Sequence, residues 1–513
     1  MRISALKHPL LSLLALSSGF VLPAAGWSKT HYHWVQLVAG KPQGGALLPG
    51  VSVRAIVDHA DGCPALYATA EMKKGSELFP LQERPKQGEV AKGKRFAEIK
   101  VCEHLLQPDD KLLQTFTTGY LPDGKRAIPV LLPDLSKGGL PLAQMITSGC
   151  SGCRDGKDQH CSDKAVQKGK SDAPPWLYEE LNKRAAKEAG DGIPPLWIHL
   201  GDMRYSGQKG SDGVADAWSK PGKLLGWKEE LFEPTAKLME KGFVVMLRGN
   251  HEGCFVKESE WDKSGWQDRG EGWFYFFGVG DQQCSTVAKQ GDVVAPFGFD
   301  AVVYGGTPAK PVVTQKQVRM VMMDTVRTGD GRDKNPQESA KIYQKQFDLV
   351  AKNLTSAEKP LWIFEHIPAY ELTKKEKLDD DSALFKGLQQ SSLQAAPGKP
   401  SVITSAHLHQ LSLVRAGSGP LQMTVGNGGV ALTPVNNCAV AGKADLLGVH
   451  ASYFGYLHTR FMVNGGQVQA KYEMPLFKSE AGPLQEALKI TCTGEANQPF
   501  QPVCTAKLPA CAK

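Results

Sequence analysis

At 513 residues, with 41% hydrophobic and 22% charged side chains, the chain is too long for one ordinary core and too apolar to be disordered or fibrous; two or three domains are expected. Its formal net charge of +7 includes Arg2 and Lys7 near the N-terminus, and the remaining lysines are scattered, as in "KYEMPLFK" and "KKEK". Without an aromatic-interleaved basic stripe, no nucleic-acid-binding surface is expected, only a weak preference for anionic ligands.

The chain opens with Met1, Arg2 and Lys7, followed by "PLLSLLALSSGFVLPAAG". A basic start, a short apolar run and small residues at its end read as a secretory signal peptide over 1–26, cleaved after Gly26 or Ala25. The run is short and broken for a membrane anchor, and no later stretch is long and apolar enough to span a bilayer. Periplasmic or secreted export follows. Eleven cysteines suit an oxidising compartment. Their spacing pairs Cys63 with Cys102, Cys153 with Cys161 and Cys254 with Cys284, with further pairing among Cys438, Cys492, Cys504 and Cys511. An odd count leaves one thiol over, and on this arithmetic it is Cys150.

Residues 30–137 alternate polar and apolar in short runs ("HYHWVQLV", "VSVRAIV", "FAEIKV") between turn sequences such as "GKPQGG" and "LPDG", the pattern of a small all-β sandwich domain. From 141 to about 475 the pattern becomes α/β. Helices are expected in "LYEELNKRAAKEAG", ending at Gly190, in "KEELFEPTAKLMEKG", ending at Gly242, and in "QESAKIYQKQFDLVAKNL". The aromatic "GWFYFFGVG" reads as core. Residues 476–513 form a cysteine-bearing tail.

Four apolar, β-like runs end in metal-competent side chains: "LWIHL" in Gly201-Asp202, "FVVML" in Arg248-Gly249-Asn250-His251-Glu252, "LWIFE" in His366, and "SVITSA" in His407 and His409. In α/β sheets, sites assemble beyond the carboxyl ends of strands, so residues some two hundred positions apart can converge. Asp202, Asn250 and three histidines form a mixed N,O set suited to zinc, manganese or iron. The two oxygens of Asp202 can bridge two ions. Such a pair, about 3.5–4 Å apart, generates a metal-bound hydroxide and neutralises a phosphoryl group. The expected activity is therefore phosphomonoester or phosphodiester hydrolysis on a phosphorylated small-molecule or macromolecular substrate. His251 is the expected proton donor to the leaving oxygen, with Glu252 or another carboxylate orienting its ring. Arg248 either meets the substrate phosphate or serves a surface structural role.

These residues resemble the calcineurin-like metallophosphoesterase family and, within it, the purple acid phosphatase-like branch. "GDMRY", "GNHE", "FEH" and "AHLH" follow the family's Gly-Asp-x-x-Tyr, Gly-Asn-His-Asp/Glu, lone His and Gly-His-x-His in order, and "VGNGGVAL" extends the likeness to about residue 470. The resemblance implies an α/β fold, a metallophosphoesterase-type layered β-sandwich flanked by helices, with an all-β sandwich in front. It also implies a two-metal centre of divalent or mixed-valence Zn, Mn or Fe. Asp202 would bridge, Asn250, His366 and His407 would hold one ion, and His409 with Tyr205 would belong to the other.

Two departures stand out. Ala406 replaces the glycine of the last motif, and in "ITSGCSGCRDG" Cys150 stands where the family has its first aspartate. Either the Cys150 thiolate replaces that ligand, which zinc and iron accept, or Cys150 is inert and the second ion is weakly held, with Asp155 as a fallback ligand. The second possibility leads to a different class of function, a non-catalytic binding protein with a degenerate metal site. His199, on the opposite strand face from its successor, is expected to be structural. Asp324 supports a ligand or caps a turn, and His450 and His458 are packing or surface residues. Asn353 in "NLT" is a glycosylation acceptor only in a eukaryotic secretory route.

Overall fold

The computed structural model describes residues 29–505, except for intervening stretches of which the longest are 87–95, 162–174, 206–217 and 255–265. The proposed signal peptide, Asp155 and Cys511 lie outside the described residues.

Among its described residues the N-terminal region is all-β apart from one short helix, Lys111–Thr115. Its first strands, β1 (Thr30–Gln43), β2 (Ala46–Asp58) and β3 (Ile99–Leu106), pair antiparallel in sequence order. Short strands at 65–67, 78–80, 118–123 and 126–131 make a separate small sheet. β1 does not close this region off. Its middle, His33 to Val38, is buried continuously rather than at alternate residues, and Val35 and Gln36 pair in parallel with Phe243 and Val244 of the α/β core. A strand buried on both faces needs partners on both sides.

Three short runs, β4 (Gln144–Ser148), β5 (Leu196–His199) and β6 (Phe243–Met246), are buried throughout and pair in parallel. A second sheet holds β7 (Phe297–Thr307), β8 (Lys310–Met322), β9 (Leu361–Phe364), β10 (Pro400–Ser405), β11 (Leu411–Ala416) and β12 (Leu421–Val425). Here β8, β9, β10 and β12 run parallel.

Period-two alternation decides which way each side chain faces. Leu196 and Ile198 join Phe364, Val402 and Met423 in one core between the sheets. Trp197 and Val244 point outward onto the helices Tyr178–Ala189 and Glu233–Lys241, and Ile363 and Ile403 onto Pro336–Asn353 and Ala383–Gln390. The result is a helix–sheet–sheet–helix layering, the metallophosphoesterase-type arrangement expected. Helix Tyr178–Ala189 stops at Gly190, whose positive φ of 64° glycine adopts freely because it has no Cβ. Trp273, Phe274, Phe276 and Phe277 of "GWFYFFGVG" are buried against Trp227 and Phe232.

Cys63–Cys102, Cys153–Cys161 and Cys254–Cys284 are disulfides. Cys492 is disulfide-bonded as well, and its backbone lies in register with Cys504. Cys150 is the free cysteine among the described residues, and it is buried. No described helix is long and apolar enough to cross a membrane.

Candidate metal centre

The parallel strands of both sheets send their carboxyl ends to one edge, where Cys150 follows β4, Asp202 follows β5, Asn250 follows β6, His366 follows β9 and His407 follows β10. The turns there are tight. Six described residues other than glycine have positive φ, and three of them are Cys150 (52°), Asp202 (57°) and His407 (62°). Such conformations cost of order 1–3 kcal/mol each and persist where surrounding contacts over-determine them. Those contacts are present. Cys150 N donates to Gly201 O (2.9 Å) and Ser151 N to Asp202 O (2.9 Å). A Cβ on Gly201 would lie 2.3 Å from Gly249 N, and one on Gly249 would lie 2.1 Å from Asp202 Oδ1, so both positions need glycine for the loops to touch.

Asp202 is at the centre. Its Oδ1 accepts from His251 N (2.9 Å), and its Oδ2 accepts the Tyr205 hydroxyl (2.6 Å) and lies 4.0 Å from Cys150 Sγ and 3.4 Å from His366 Nε2. The Tyr205 oxygen is also 2.9 Å from His409 Nε2. On the other side, Asn250 Oδ1 is 2.8 Å from His366 Nε2 and 3.0 Å from His407 Nδ1. Two donor groups emerge, Cys150–Asp202–His409 and Asp202–His366–His407, each with its ligand atoms within 4.8 Å of one another. Asp202 belongs to both.

The donor chemistry fits cations. His366 Nδ1 lies 2.6 Å from Leu200 O and His409 Nδ1 lies 3.0 Å from Ala431 O; a neutral ring donates its Nδ1–H to each carbonyl and keeps its Nε2 lone pair for the site. His366 Nε2 then faces the carbonyl oxygen of Asn250, and two lone pairs that close repel unless a cation or a second proton lies between them. Burial opposes ionisation of both Asp202 and His366, yet their mutual attraction prevails, holding the Asp202 carboxyl well below its ordinary range and raising His366; a second proton on His366 or a cation beside Asp202 answers the same attraction. Burial, then Asp202, push the Cys150 thiol well up. A coordinating cation reverses that and deprotonates a thiol outright.

The structure assigns other residues differently from the sequence. The Glu252 carboxylate accepts Gly249 N, Asp202 N and Met203 N, each at 2.8 Å, because the loop folds back on itself and its buried amides need acceptors there. The His251 ring packs on Tyr205, with centroids 4.2 Å apart and Nε2 3.9 Å from Asp202 Oδ2. Arg248 is not on the surface. It is 2% exposed, with its guanidinium on Asp324 Oδ2 (2.5 and 3.0 Å) and Asp292 Oδ1 (3.0 Å). Asp324 Oδ2 thus meets Arg248 and Val294 N (2.9 Å), while its Oδ1 accepts Val326 N (3.3 Å), the turn-capping contact the sequence allowed.

His199 bridges Ser151 Oγ (2.8 Å) and Gly201 N (3.1 Å) inside the first two loops. His458 is buried on Gln144 (3.1 Å), the side chain of His450 lies outside the described residues, and Asn353 is exposed at a helix end. Two supporting residues escaped sequence reasoning. Thr325 Oγ1 accepts His366 N (3.1 Å) and Ile367 N (2.9 Å), and nothing in "DTVR" signals this. Glu230, fully buried, accepts from the loops of Cys153 and Tyr205. Its signal was available: an acid on the stripe of Pro234 and Leu238, the buried face of its helix.

A comparison with curated proteins finds no match. A family model described as calcineurin-like phosphoesterase matches residues 160–411, a span holding Asp202, Tyr205, Asn250, His251, His366, His407 and His409 but starting ten positions after Cys150. Residues 160–411 are thus similar to calcineurin-like phosphoesterases, and the layered fold and the two donor groups that share Asp202 agree with that similarity.

Proposed function

We propose that the protein is an exported, metal-dependent hydrolase of phosphomonoesters or phosphodiesters, of the purple acid phosphatase-like kind, with a thiolate in place of one carboxylate ligand. The observation that carries this reading is the sharing of Asp202 between two donor groups. Asn250, His366 and His407 would hold one ion, and Cys150, His409 and the Tyr205 oxygen the other. When bound, such a pair activates water near neutral pH and neutralises the phosphoryl oxygens. The chain's own residues do the rest. His251, fixed by its backbone bond to Asp202 and by the Tyr205 ring, presents an imidazole that can protonate the departing oxygen, a contribution of about 10²–10⁴ in rate. Carbonyls of Leu200 and Ala431 keep the two histidines in the tautomer that offers Nε2. His407 and His409 are partly exposed, which leaves that side open for a phosphorylated substrate. Export is supported by the leader-like N-terminus and by three disulfides.

The test is metal analysis of the purified protein together with hydrolysis of a chromogenic phosphomonoester and a chromogenic phosphodiester. Two equivalents of metal with turnover support the hydrolase. One or none, without turnover after addition of Mn, Zn or Fe, overturns it in favour of a binding protein with a degenerate site.

A further inference from the structure

Resting on the metal-centre reading, we propose that Glu230 is a positioning residue dedicated to one half of the centre, the half formed by Cys150, Tyr205 and His409. No motif contains it. It lies on a single π-helical turn, Lys228–Phe232, that runs into helix Glu233–Lys241, and turns of this kind are frequent at functional sites.

The contacts of Glu230 converge on the two loops that carry Cys150 and Tyr205. Its Oε1 accepts Cys153 N and Tyr205 N, both at 2.8 Å, so one oxygen ties the loops together. Its Oε2 accepts Arg204 Nε (3.1 Å), and Arg204 is itself held by Leu225 O (2.7 Å) and by the Trp227 ring beneath it. Glu230 and Arg204 are both essentially unexposed. The fit is close: a Cβ on Gly152 would lie 2.7 Å from Glu230 Oε1 and 2.7 Å from Tyr205 N. Glycine at 152 is what lets the carboxylate enter between the loops.

The other half is anchored elsewhere. His366 hangs from Thr325 and Leu200, and the Asn250 loop from Glu252. Moving Glu230 therefore frees the Tyr205 backbone and the loop that follows Cys150, while Asp202, which Glu252 also holds, and the Asn250–His366–His407 group keep their supports. A general packing defect has no reason to be selective in this way.

The experiment titrates cobalt(II) into metal-free protein, reading stoichiometry and affinity by calorimetry and thiolate ligation by the sulfur-to-cobalt absorption band. Glu230→Asp keeps the charge beside Arg204 but withdraws the oxygen from both amides. The control is Asp300→Asn, another buried carboxylate on an arginine, in the second sheet. Supporting residues of metal ligands are typically worth about 10–100-fold in affinity. Glu230→Asp should weaken the site bearing the thiolate band by that factor and leave the other site unchanged, while Asp300→Asn alters neither. Two wild-type sites that respond equally to Glu230→Asp, or not at all, overturn the role given to Glu230 alone. A wild-type protein that binds no cobalt, or binds it without the band, overturns the metal reading and this inference with it.

Discussion

Replacing Arg248 by Met separates the two roles that its place beside the Asn250 loop allows. In the structure its guanidinium lies between Asp292 and Asp324, with side-chain exposures of 1% for Arg248, 1% for Asp292 and 10% for Asp324. Breaking a buried pair by removing one partner costs about 3–5 kcal/mol, because the partner charge stays buried and uncompensated. Here two carboxylates are left, so Arg248→Met should fall at the upper end of that range. Adding Asp292→Asn and Asp324→Asn removes the stranded charges, and the triple variant should recover part of the loss, a non-additivity expected of residues in one network. The assay is urea unfolding of the single and triple variants, with steady-state hydrolysis of a chromogenic phosphomonoester alongside. Stability should fall while KM stays within about twofold, since the guanidinium is turned to two buried carboxylates. A tenfold rise in KM with unfolding unchanged would refute the reasoning.

Cys150→Asp should shift the preferred metal from zinc towards manganese, because a carboxylate is a harder ligand than a thiolate; metal content and rate with each added ion measure this, and no change in either counts against the ligand role. Gly249→Ala drives a methyl carbon to within 2.1 Å of Asp202 Oδ1 and should lower kcat/KM at least about a hundredfold, with a loss of bound metal visible on dialysis. Glu103 predicts a pH effect on folding: burial would raise its carboxyl, but Arg54 and Arg84 outweigh it and hold it at about 2 against an ordinary 4.5. A depressed folded-state pKa means stability that is present above about 4.5 and lost as the pH falls towards 2, worth about 3 kcal/mol. Glu103→Gln should lack that share of the acid-induced loss, so urea midpoints of wild type and variant should converge between pH 6 and pH 3; a constant gap would contradict it.

Much of the site was legible because its parts are local in the chain. A short apolar run ending in Gly-Asp or Gly-Asn-His advertises a buried parallel strand and a tight turn, and the structure finds those ends together at one edge. The cysteine pairs 63–102, 153–161 and 254–284 were legible from spacing, and so was the leftover Cys150. Periodicity also gave helix Tyr178–Ala189 its end at Gly190.

Arg248 and Glu252 were not legible in the same way. Arg248 reads as a charged residue beside a catalytic loop, and only its neighbours at 292 and 324 turn it into an internal strut. Glu252 sits beside His251 in sequence, yet its oxygens turn to amides of residues 202 and 203, because a buried loop must find acceptors for its N–H groups and the nearest carboxylate supplies them. The alternation of β1 likewise could not name its partner, since period two specifies a face and not a neighbour.

By itself, the sequence determined which strands end in metal-competent side chains, which cysteines can pair, and the α/β class, all of them properties of residues close together along the chain. Only the tertiary structure decided that Asp202 serves two donor groups, that Cys150 joins one of them, and which charged residues are turned to a buried partner. The reason is physical: ligation and burial depend on distances between loops 50 to 200 positions apart, and those distances are set by how the two sheets pack.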